Sequence, residues 1–115
     1  MAAASLSSHV LNTVTGRPAA NMGLVLEQSD GAGGFKHLFA GRTNADGRVP
    51  GTDFPKLVVG QEYRISFDTR GYFAQEGVKD FFYPVARVEF VVGGPGHYHV
   101  PLLVSPFSFS TYRGS

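Results

Sequence analysis

Apolar and polar residues alternate strictly in two stretches of the chain. Residues 61–68 carry apolar side chains at every second position: Tyr63, Ile65 and Phe67. Residues 85–92 repeat the pattern with Val88, Phe90 and Val92. Since successive side chains of a β-strand point to opposite faces, each stretch predicts a strand with one buried face and one polar face.

Glycine and proline divide the remaining sequence into short segments. The chain contains 15 glycines and 7 prolines, a distribution typical of β-sandwiches and barrels. Further strands are predicted at residues 5–12, 22–28, 36–43, 97–104 and 109–112. A short helix is predicted at residues 72–80, where Gly77 weakens the signal. The pattern predicts an all-β fold of about eight strands and one short helix, arranged as two stacked antiparallel sheets.

Residues 44–47, with the sequence Asn-Ala-Asp-Gly, predict a hairpin-type turn. Asp46 and Gly47 tolerate the positive φ angles that such turns need. Arg48 follows directly. Its side chain is therefore predicted to stand at the exit of the turn, within reach of a neighbouring strand.

Length and composition narrow the class of protein. With 115 residues, 43% of them hydrophobic, the chain is predicted to form one globular domain, residues 1–115. The formal net charge of +1 offers no electrostatic surface for nucleic acid or an anionic membrane. No apolar run approaches the roughly 20 residues that cross a bilayer. Because the sequence has no cysteine, disulfides, thiol catalysis and cysteine-bound metals are excluded.

The predicted strand at residues 97–104 presents two histidines on one face. Tyr98, Val100, Leu102 and Val104 form an apolar face that predicts the core, whereas His97 and His99 point away from it. Pro101 shares the histidine side and has no backbone N–H to donate, which predicts an edge position or a bulge. The simplest interpretation of this face is two solvent-exposed histidines.

Further residues favour a functional face instead. His9 lies in the first predicted strand, and Arg48 stands where it can reach the same side. The outer side of the last hairpin is also predicted to be apolar enough to be covered, through Pro101, Leu103, Phe107 and Phe109. Histidine transfers protons near neutral pH, and arginine can hold a planar anion or a developing oxyanion. An alternative is a zinc site formed by His9, His97 and His99, although no carboxylate is an obvious outer partner.

Three stretches of the sequence resemble those of a known family. Residues 6–12 (LSSHVLN), residues 43–48 (TNADGR) and residues 97–115, which begin HYHVPLL and end YRGS, resemble motifs of the transthyretin-like 5-hydroxyisourate hydrolases, enzymes of urate breakdown. The resemblance extends from residue 6 to residue 115. The YRGS ending separates these hydrolases from transthyretin, the hormone carrier with the same fold.

The resemblance implies a transthyretin-like β-sandwich that assembles into a homotetramer, with active sites in a channel between dimers. It implies hydrolysis of the lactam of 5-hydroxyisourate to 2-oxo-4-hydroxy-4-carboxy-5-ureidoimidazoline in purine degradation, with neither a metal nor a cofactor. Transferred position by position, the catalytic residues are His9, Arg48, His99 and Ser115. The substrate-binding residues are His9, Arg48, Tyr112, Arg113 and Gly114. One histidine activates water, and the division of roles between the two histidines is open.

Two further expectations accompany this hypothesis. The alternative to an enzyme is a transthyretin-like module that binds a small ligand without catalysis. The first residues (MAAASLSS) have neither a basic segment nor an apolar segment, so a cytoplasmic location is expected, with a peroxisomal one as the alternative.

Overall fold

The computed structural model describes residues 3–115 of the chain. Its elements, in chain order, are β1 (Ala3–Asn12), β2 (Arg17–Pro18), β3 (Gly23–Ser29), β4 (Phe35–Arg42), β5 (Arg48–Val49), β6 (Leu57–Val58), β7 (Glu62–Phe67), α1 (Thr69–Gln75), β8 (Ala86–Val91), β9 (Gly96–Ser105) and β10 (Ser108–Thr111). The predicted all-β fold with one short helix is confirmed. The strands that the sequence did not locate, β2, β5 and β6, have two residues each, too few to produce an alternation signal.

The strands form two sheets. The first sheet has the order β10-β9-β1-β2, and β5 and β6 also pair with β1; the second has the order β4-β3-β7-β8. The second sheet is antiparallel throughout, as predicted. In the first sheet, however, β1 and β9 are parallel, so the prediction of purely antiparallel sheets is wrong there. Alternation reports which face a residue occupies and carries no information on strand direction.

The inner faces of both sheets form one hydrophobic core. Tyr63, Ile65 and Phe67 of β7 are fully buried, as their alternation predicts. Leu6 and Leu102 are buried from the first sheet. Burying a side chain of this size stabilises a fold by about 1.5–3 kcal/mol. Among residues 3–115, every buried side-chain nitrogen or oxygen has a hydrogen-bond partner. No unsatisfied polar side chain therefore destabilises this part of the core.

Helix α1 lies earlier in the chain than predicted. It spans Thr69–Gln75 instead of residues 72–80, because Asp68 caps its N-terminus by accepting a hydrogen bond from the Gly71 N–H at 3.0 Å. Gly77 adopts a φ of +72° just beyond the end of the helix. In the described part of the chain, no helix has the length and apolar character needed to cross a membrane.

The turn at residues 44–47 connects the two sheets and does not close a hairpin within one of them. It follows β4 of the second sheet and leads into β5, which pairs with β1 of the first sheet. The Asn44 side-chain oxygen accepts hydrogen bonds from the N–H groups of Asp46 and Arg48, at 2.9 and 3.0 Å. Gly47 has a φ of +74°, and its carbonyl accepts the Val10 N–H at 2.7 Å. The turn therefore holds the start of β5 against β1.

Of the two alternatives predicted for Pro101, an edge position or a bulge, the edge position is wrong. Strand β9 lies between β1 and β10, and β10 pairs with it as far as Thr111 opposite Leu102. Pairing resumes in the same register at Gly114 opposite His99. Between these points Pro101 has no N–H to offer, and its carbonyl accepts the Thr111 hydroxyl at 2.7 Å. The ladder is thus interrupted at the proline, and the chain then returns to β9 at His99.

Replacing Gly47 with alanine is expected to destabilise the fold strongly. A Cβ at this position would lie 2.5 Å from the Val10 carbonyl oxygen, which belongs to the backbone of β1 and cannot move aside cheaply. Gly31→Ala is the matched control, since Gly31 has a φ of +78° with nothing within 4 Å of the added Cβ. Left-handed backbone alone costs a non-glycine residue about 1–2 kcal/mol. Urea unfolding should show a larger loss for Gly47→Ala, and equal losses would contradict the steric argument.

Candidate active site

Three neighbouring strands bring His9, Arg48 and His99 to the outer face of the first sheet. Arg48 lies directly opposite His9 in the antiparallel pair of β5 with β1. His99 lies beside Ser7 in the parallel pair of β9 with β1. The histidine face is defined here as Ser5, Ser7, His9, Arg48, His97 and His99. The structure thus groups the three side chains that the sequence placed together.

Two serines of β1 bind both histidines of β9. The Ser5 hydroxyl lies 2.6 Å from His97 Nδ1, and the Ser7 hydroxyl lies 2.7 Å from His97 Nε2. The Ser7 hydroxyl also lies 2.8 Å from His99 Nδ1. Ser7 therefore bridges the two imidazoles. Sequence reasoning missed both serines, although their alternation with His9 at positions 5, 7 and 9 would have placed them on this face.

The environment of His99 favours the neutral form of its imidazole. Partial burial lowers the pKa of His99 below its ordinary value of 6.5, and the positive charge of Arg48 lowers it further, followed by smaller effects of His9 and His97. A neutral imidazole has a ring nitrogen that can accept a proton. Because Nδ1 is occupied by Ser7, Nε2 is the nitrogen left for chemistry on this face.

The end of the chain packs against His99. The Gly114 N–H donates to the His99 carbonyl at 2.8 Å, and a Cβ at Gly114 would lie 2.5 Å from His99 Cδ2. Only glycine therefore fits here without displacing the ring. Tyr112, which precedes this contact, and Ser115, which follows it, are both exposed.

Arg113 does not reach the histidine face within this chain. Its guanidinium carbon lies 4.3 Å from the centroid of the Tyr98 ring, whose side chain points to the core side of β9. The two residues line a cavity of about 240 Å³ between β8, β9 and the end of the chain. A cation over an aromatic face stabilises by about 0.5–1 kcal/mol at an exposed position. The terminal segment is defined as residues 112–115. In one chain, Arg113 thus anchors this segment on the side of the sheet away from His99.

Phe109 also lies on the inner side of the sheet, contrary to the prediction of an apolar outer face. It pairs with Val104, a core residue, and its ring meets Tyr83 edge-on with the centroids 5.3 Å apart. Phe107, in the turn between β9 and β10, is 60% exposed. The apolar outer surface of the hairpin is therefore smaller than predicted.

The three-histidine zinc alternative has no geometric support. Within the described residues, 3–115, no group of three or more histidine, cysteine, aspartate or glutamate side chains is arranged to hold a metal ion. Both ring nitrogens of His97 are engaged by Ser5 and Ser7. A ligand role for His97 would require one of these hydrogen bonds to break.

Removing the charge of Arg48 is expected to raise the pKa of His99. In Arg48→Met, the pKa should move up towards 6.5, because a nearby positive charge disfavours the imidazolium. Arg87→Met, on the exposed face of β8, is the control and should leave the His99 titration unchanged. The measurement is a proton NMR titration of the His99 ring, and an unchanged midpoint in Arg48→Met would contradict the electrostatic argument.

The lowered pKa of His99 also determines how the stability of the fold depends on pH. Because the pKa of His99 is lower in the folded state, the unfolded chain binds more protons as the pH falls below 6.5. The stabilising contribution is complete above that pH and is lost as the pH falls through the folded pKa. Arg48→Met should therefore reduce the part of the acid destabilisation that arises from His99.

A family model and curated relatives match nearly the whole chain. The model of the HIUase/Transthyretin family matches residues 6–114. The 5-hydroxyisourate hydrolase of Salmonella typhi is 42% identical over 111 residues, covering 96% of this chain and 80% of that protein.

Solved structures also match nearly the whole chain. The 5-hydroxyisourate hydrolase of Klebsiella pneumoniae has a TM-score of 0.82 at 32% identity, covering 97% of this chain and 100% of that one. Sea bream transthyretin in complex with thyroxine has a TM-score of 0.81 at 33% identity, covering 96% of this chain and 94% of that one. An (S)-allantoin synthase has a TM-score of 0.86 at 36% identity over 99% of this chain, which spans 44% of that protein. The resemblance drawn from the three motifs is confirmed: the chain belongs to the HIUase/Transthyretin family.

Proposed function

We propose that this protein hydrolyses 5-hydroxyisourate to 2-oxo-4-hydroxy-4-carboxy-5-ureidoimidazoline. The observation that carries the proposal is the meeting of His9, Arg48 and His99 on one sheet face. The lowered pKa of His99 favours the neutral imidazole that a general base needs. Two imidazoles can remove and return protons, and a guanidinium can stabilise negative charge that develops on a carbonyl oxygen. The relatives named 5-hydroxyisourate hydrolase support the same reaction.

In the proposed mechanism, one of the two histidines takes a proton from water as the water oxygen attacks the lactam carbonyl. Arg48 donates hydrogen bonds to the oxyanion that forms. The carbon–nitrogen bond then breaks, and the nitrogen leaves with a proton supplied by a histidine. No step needs a metal or a cofactor, because the substrate is an activated cyclic amide and the side chains supply both the base and the acid.

The terminal segment completes the proposed site. Gly114 packs on the His99 ring, so Ser115 follows directly from a residue in contact with that ring. We propose that Ser115 orients the substrate or water, and that Tyr112 contributes to substrate binding. For Arg113, the stacking on Tyr98 supports a role in holding the terminal segment in place instead of direct contact with substrate from the same chain.

We also propose that the protein works as a homotetramer with sites between dimers, in the cytoplasm or alternatively in peroxisomes. Large apolar side chains lie exposed on the single chain and would be better buried in an assembly: Val14, Phe82, Val91 and Phe107. The lack of cysteine is compatible with a reducing compartment.

A small-ligand binding module is the second candidate, since a transthyretin solved with thyroxine matches the fold closely. The two functions are separated by following the ultraviolet absorbance of freshly generated 5-hydroxyisourate with and without the protein. The hydrolase proposal expects decay much faster than the spontaneous reaction. Decay at the spontaneous rate would leave the binding module.

Replacing His99 is expected to reduce the rate far more than replacing a histidine elsewhere. General acid–base groups typically contribute on the order of 10² to 10⁴ in rate. His99→Asn should therefore lose activity on that scale, while His37→Asn, on β4 of the second sheet, should keep it. Steady-state kinetics of both variants at pH 7 provide the measurement. A His99→Asn variant as active as His37→Asn would remove His99 from the mechanism.

Disturbing the terminal segment is expected to reduce the rate without unfolding the protein. Gly114→Ala places a methyl group against the His99 ring, so the ring or the chain end must shift. A displacement of about 1 Å in a site can cost about 10²-fold in rate. Gly93→Ala, which has open space around the added Cβ, is the matched control. Adding a hexahistidine segment after Ser115 should act like Gly114→Ala, whereas the same segment before Met1 should be tolerated.

The prediction is tested by measuring both the rate and the melting temperature of each variant. Gly114→Ala and the extension after Ser115 should keep a melting temperature close to that of the unmodified protein. Full activity in both would show that the terminal segment is outside the site. A large fall in melting temperature in both would show that it is a structural element.

A further inference from the structure

Four polar side chains form a continuous hydrogen-bonded row across β1 and β9. The row runs from the Ser5 hydroxyl to His97 Nδ1, from His97 Nε2 to the Ser7 hydroxyl, and from that hydroxyl to His99 Nδ1. The three distances, 2.6, 2.7 and 2.8 Å, are those of well-formed hydrogen bonds. His97 is exposed and His99 is partly buried, so the row connects the surface to the inner part of the histidine face.

The bridging hydroxyl couples the tautomers of the two histidines. Ser7 has one proton, so it can donate to only one of the two imidazoles and must accept from the other. If Ser7 donates to His99 Nδ1, a neutral His99 carries its proton on Nε2 and can act as an acid there. If Ser7 donates to His97, His99 carries its proton on Nδ1, and its Nε2 is free to act as a base.

We propose that Ser5, His97 and Ser7 form a proton relay that connects His99 to solvent during hydrolysis. This inference rests on the proposed function, and within it His97 is a positioning residue that acts through His99. It assigns a role to three residues that hydrogen bonds link in a row and that reach His99 through Ser7. It also makes His99 the base in the first step.

Each transfer in the relay balances. When Nε2 of His99 takes the proton from the attacking water, Nδ1 of His99 passes its own proton to the Ser7 hydroxyl. Ser7 passes its proton to His97 Nε2, His97 Nδ1 passes one to Ser5, and Ser5 releases one to solvent. When the leaving nitrogen takes the proton from His99 Nε2, one proton enters from solvent, and each bond in the row reverses.

After one turnover, every residue of the relay has its starting proton. The water molecule has added its oxygen to the carbonyl carbon, and the leaving nitrogen has gained a proton. At neutral pH the new carboxylic acid then ionises and releases one proton, which must also leave the site. A connection to solvent therefore provides a route both for the protons of the relay and for the proton that the product releases.

The charges around His99 favour a relay over storage of the proton on the ring. Arg48 approaches His99 from β5, His9 from β1 and His97 from its own strand, and each disfavours an imidazolium. Gly114 packs on the ring from the terminal segment. A base that passes its proton on stays neutral throughout the cycle, whereas a base that holds it would become a cation beside a guanidinium.

The kinetic test compares variants that differ only in the ability to pass a proton. Ser7→Ala removes the bridge, and Ser7→Thr keeps a hydroxyl as the matched control. His97→Gln keeps one donor and one acceptor but cannot exchange protons between two ring nitrogens. We expect kcat to fall about tenfold to a hundredfold in Ser7→Ala and His97→Gln, at the lower end of acid–base contributions, with KM little changed. Ser7→Thr and the distant His37→Gln should stay within about twofold of the unmodified protein.

Two readouts separate a relay from simple support of the fold. Added imidazole buffer should restore part of kcat in Ser7→Ala and His97→Gln, because a diffusing base replaces the missing path. In mixtures of light and heavy water, kcat of the unmodified protein should depend on the deuterium fraction in a curved manner, which reports several protons in transit. No rescue together with a linear dependence would overturn the relay, as would a Ser7→Thr variant that is as impaired as Ser7→Ala.

A spectroscopic measurement keeps the inference testable if the protein does not hydrolyse 5-hydroxyisourate. Nitrogen-15 NMR of labelled histidine reports which ring nitrogen carries the proton in His97 and His99. Coupled tautomers should show His99 changing its proton distribution in both His97→Gln and Ser7→Ala, with no change in His37→Gln. Unaltered His99 tautomers in both variants would overturn the coupling whatever the activity. Failure of the hydrolysis assay alone would overturn the proposed function and leave the coupling as a property of the histidine face.

Discussion

The parallel pairing of β1 with β9 is the contact on which the rest of the site depends. It runs from Ala4 beside Gly96 to Asn12 beside Val104, and so it joins the first part of the described chain to the last. On the inner side it sets Leu6 and Leu102 into the core. On the outer side the same register sets serines beside histidines. A shift by one residue would exchange the two faces and bury the imidazoles.

Burial of the core residues also positions the polar side chains of the outer face. Burial of alternate residues on β1 and β9 leaves Ser7, His97 and His99 on the other side, where side chains stand close together across the strands. These polar groups satisfy one another through a short row of hydrogen bonds. Arg48 reaches the same face because the turn before it is closed by its own backbone and by the Asn44 side chain. Hydrophobic burial thus positions the groups, and local hydrogen bonds orient them.

The terminal segment is held by two contacts on opposite sides of the sheet. Pro101 interrupts the ladder, which frees the chain for two residues after Thr111. Arg113 then stacks on Tyr98 towards the core side, while Gly114 returns to His99 on the other side. The contact of Arg113 with Tyr98 anchors the segment, and the contact of Gly114 with His99 places its last residues beside the imidazole. This division explains why a charged residue and a glycine stand next to each other at the end of this chain.

The sequence by itself determined the faces of β7 and of the first half of β9: alternation placed Tyr63 in the core and both histidines of β9 outside it. The motifs around His9, Arg48 and Gly114 identified the family, whereas the face of Phe109 was predicted wrongly. Local pattern did not reveal that β1 and β9 run parallel, that Arg113 turns away from His99, or that Ser7 bridges two imidazoles. Ser7 and His99 are separated by 92 positions. Strand direction and neighbours are decided by such long-range contacts, whereas alternation is a property of each strand alone. The tertiary structure therefore had to decide which polar groups of a correctly assigned face bind one another.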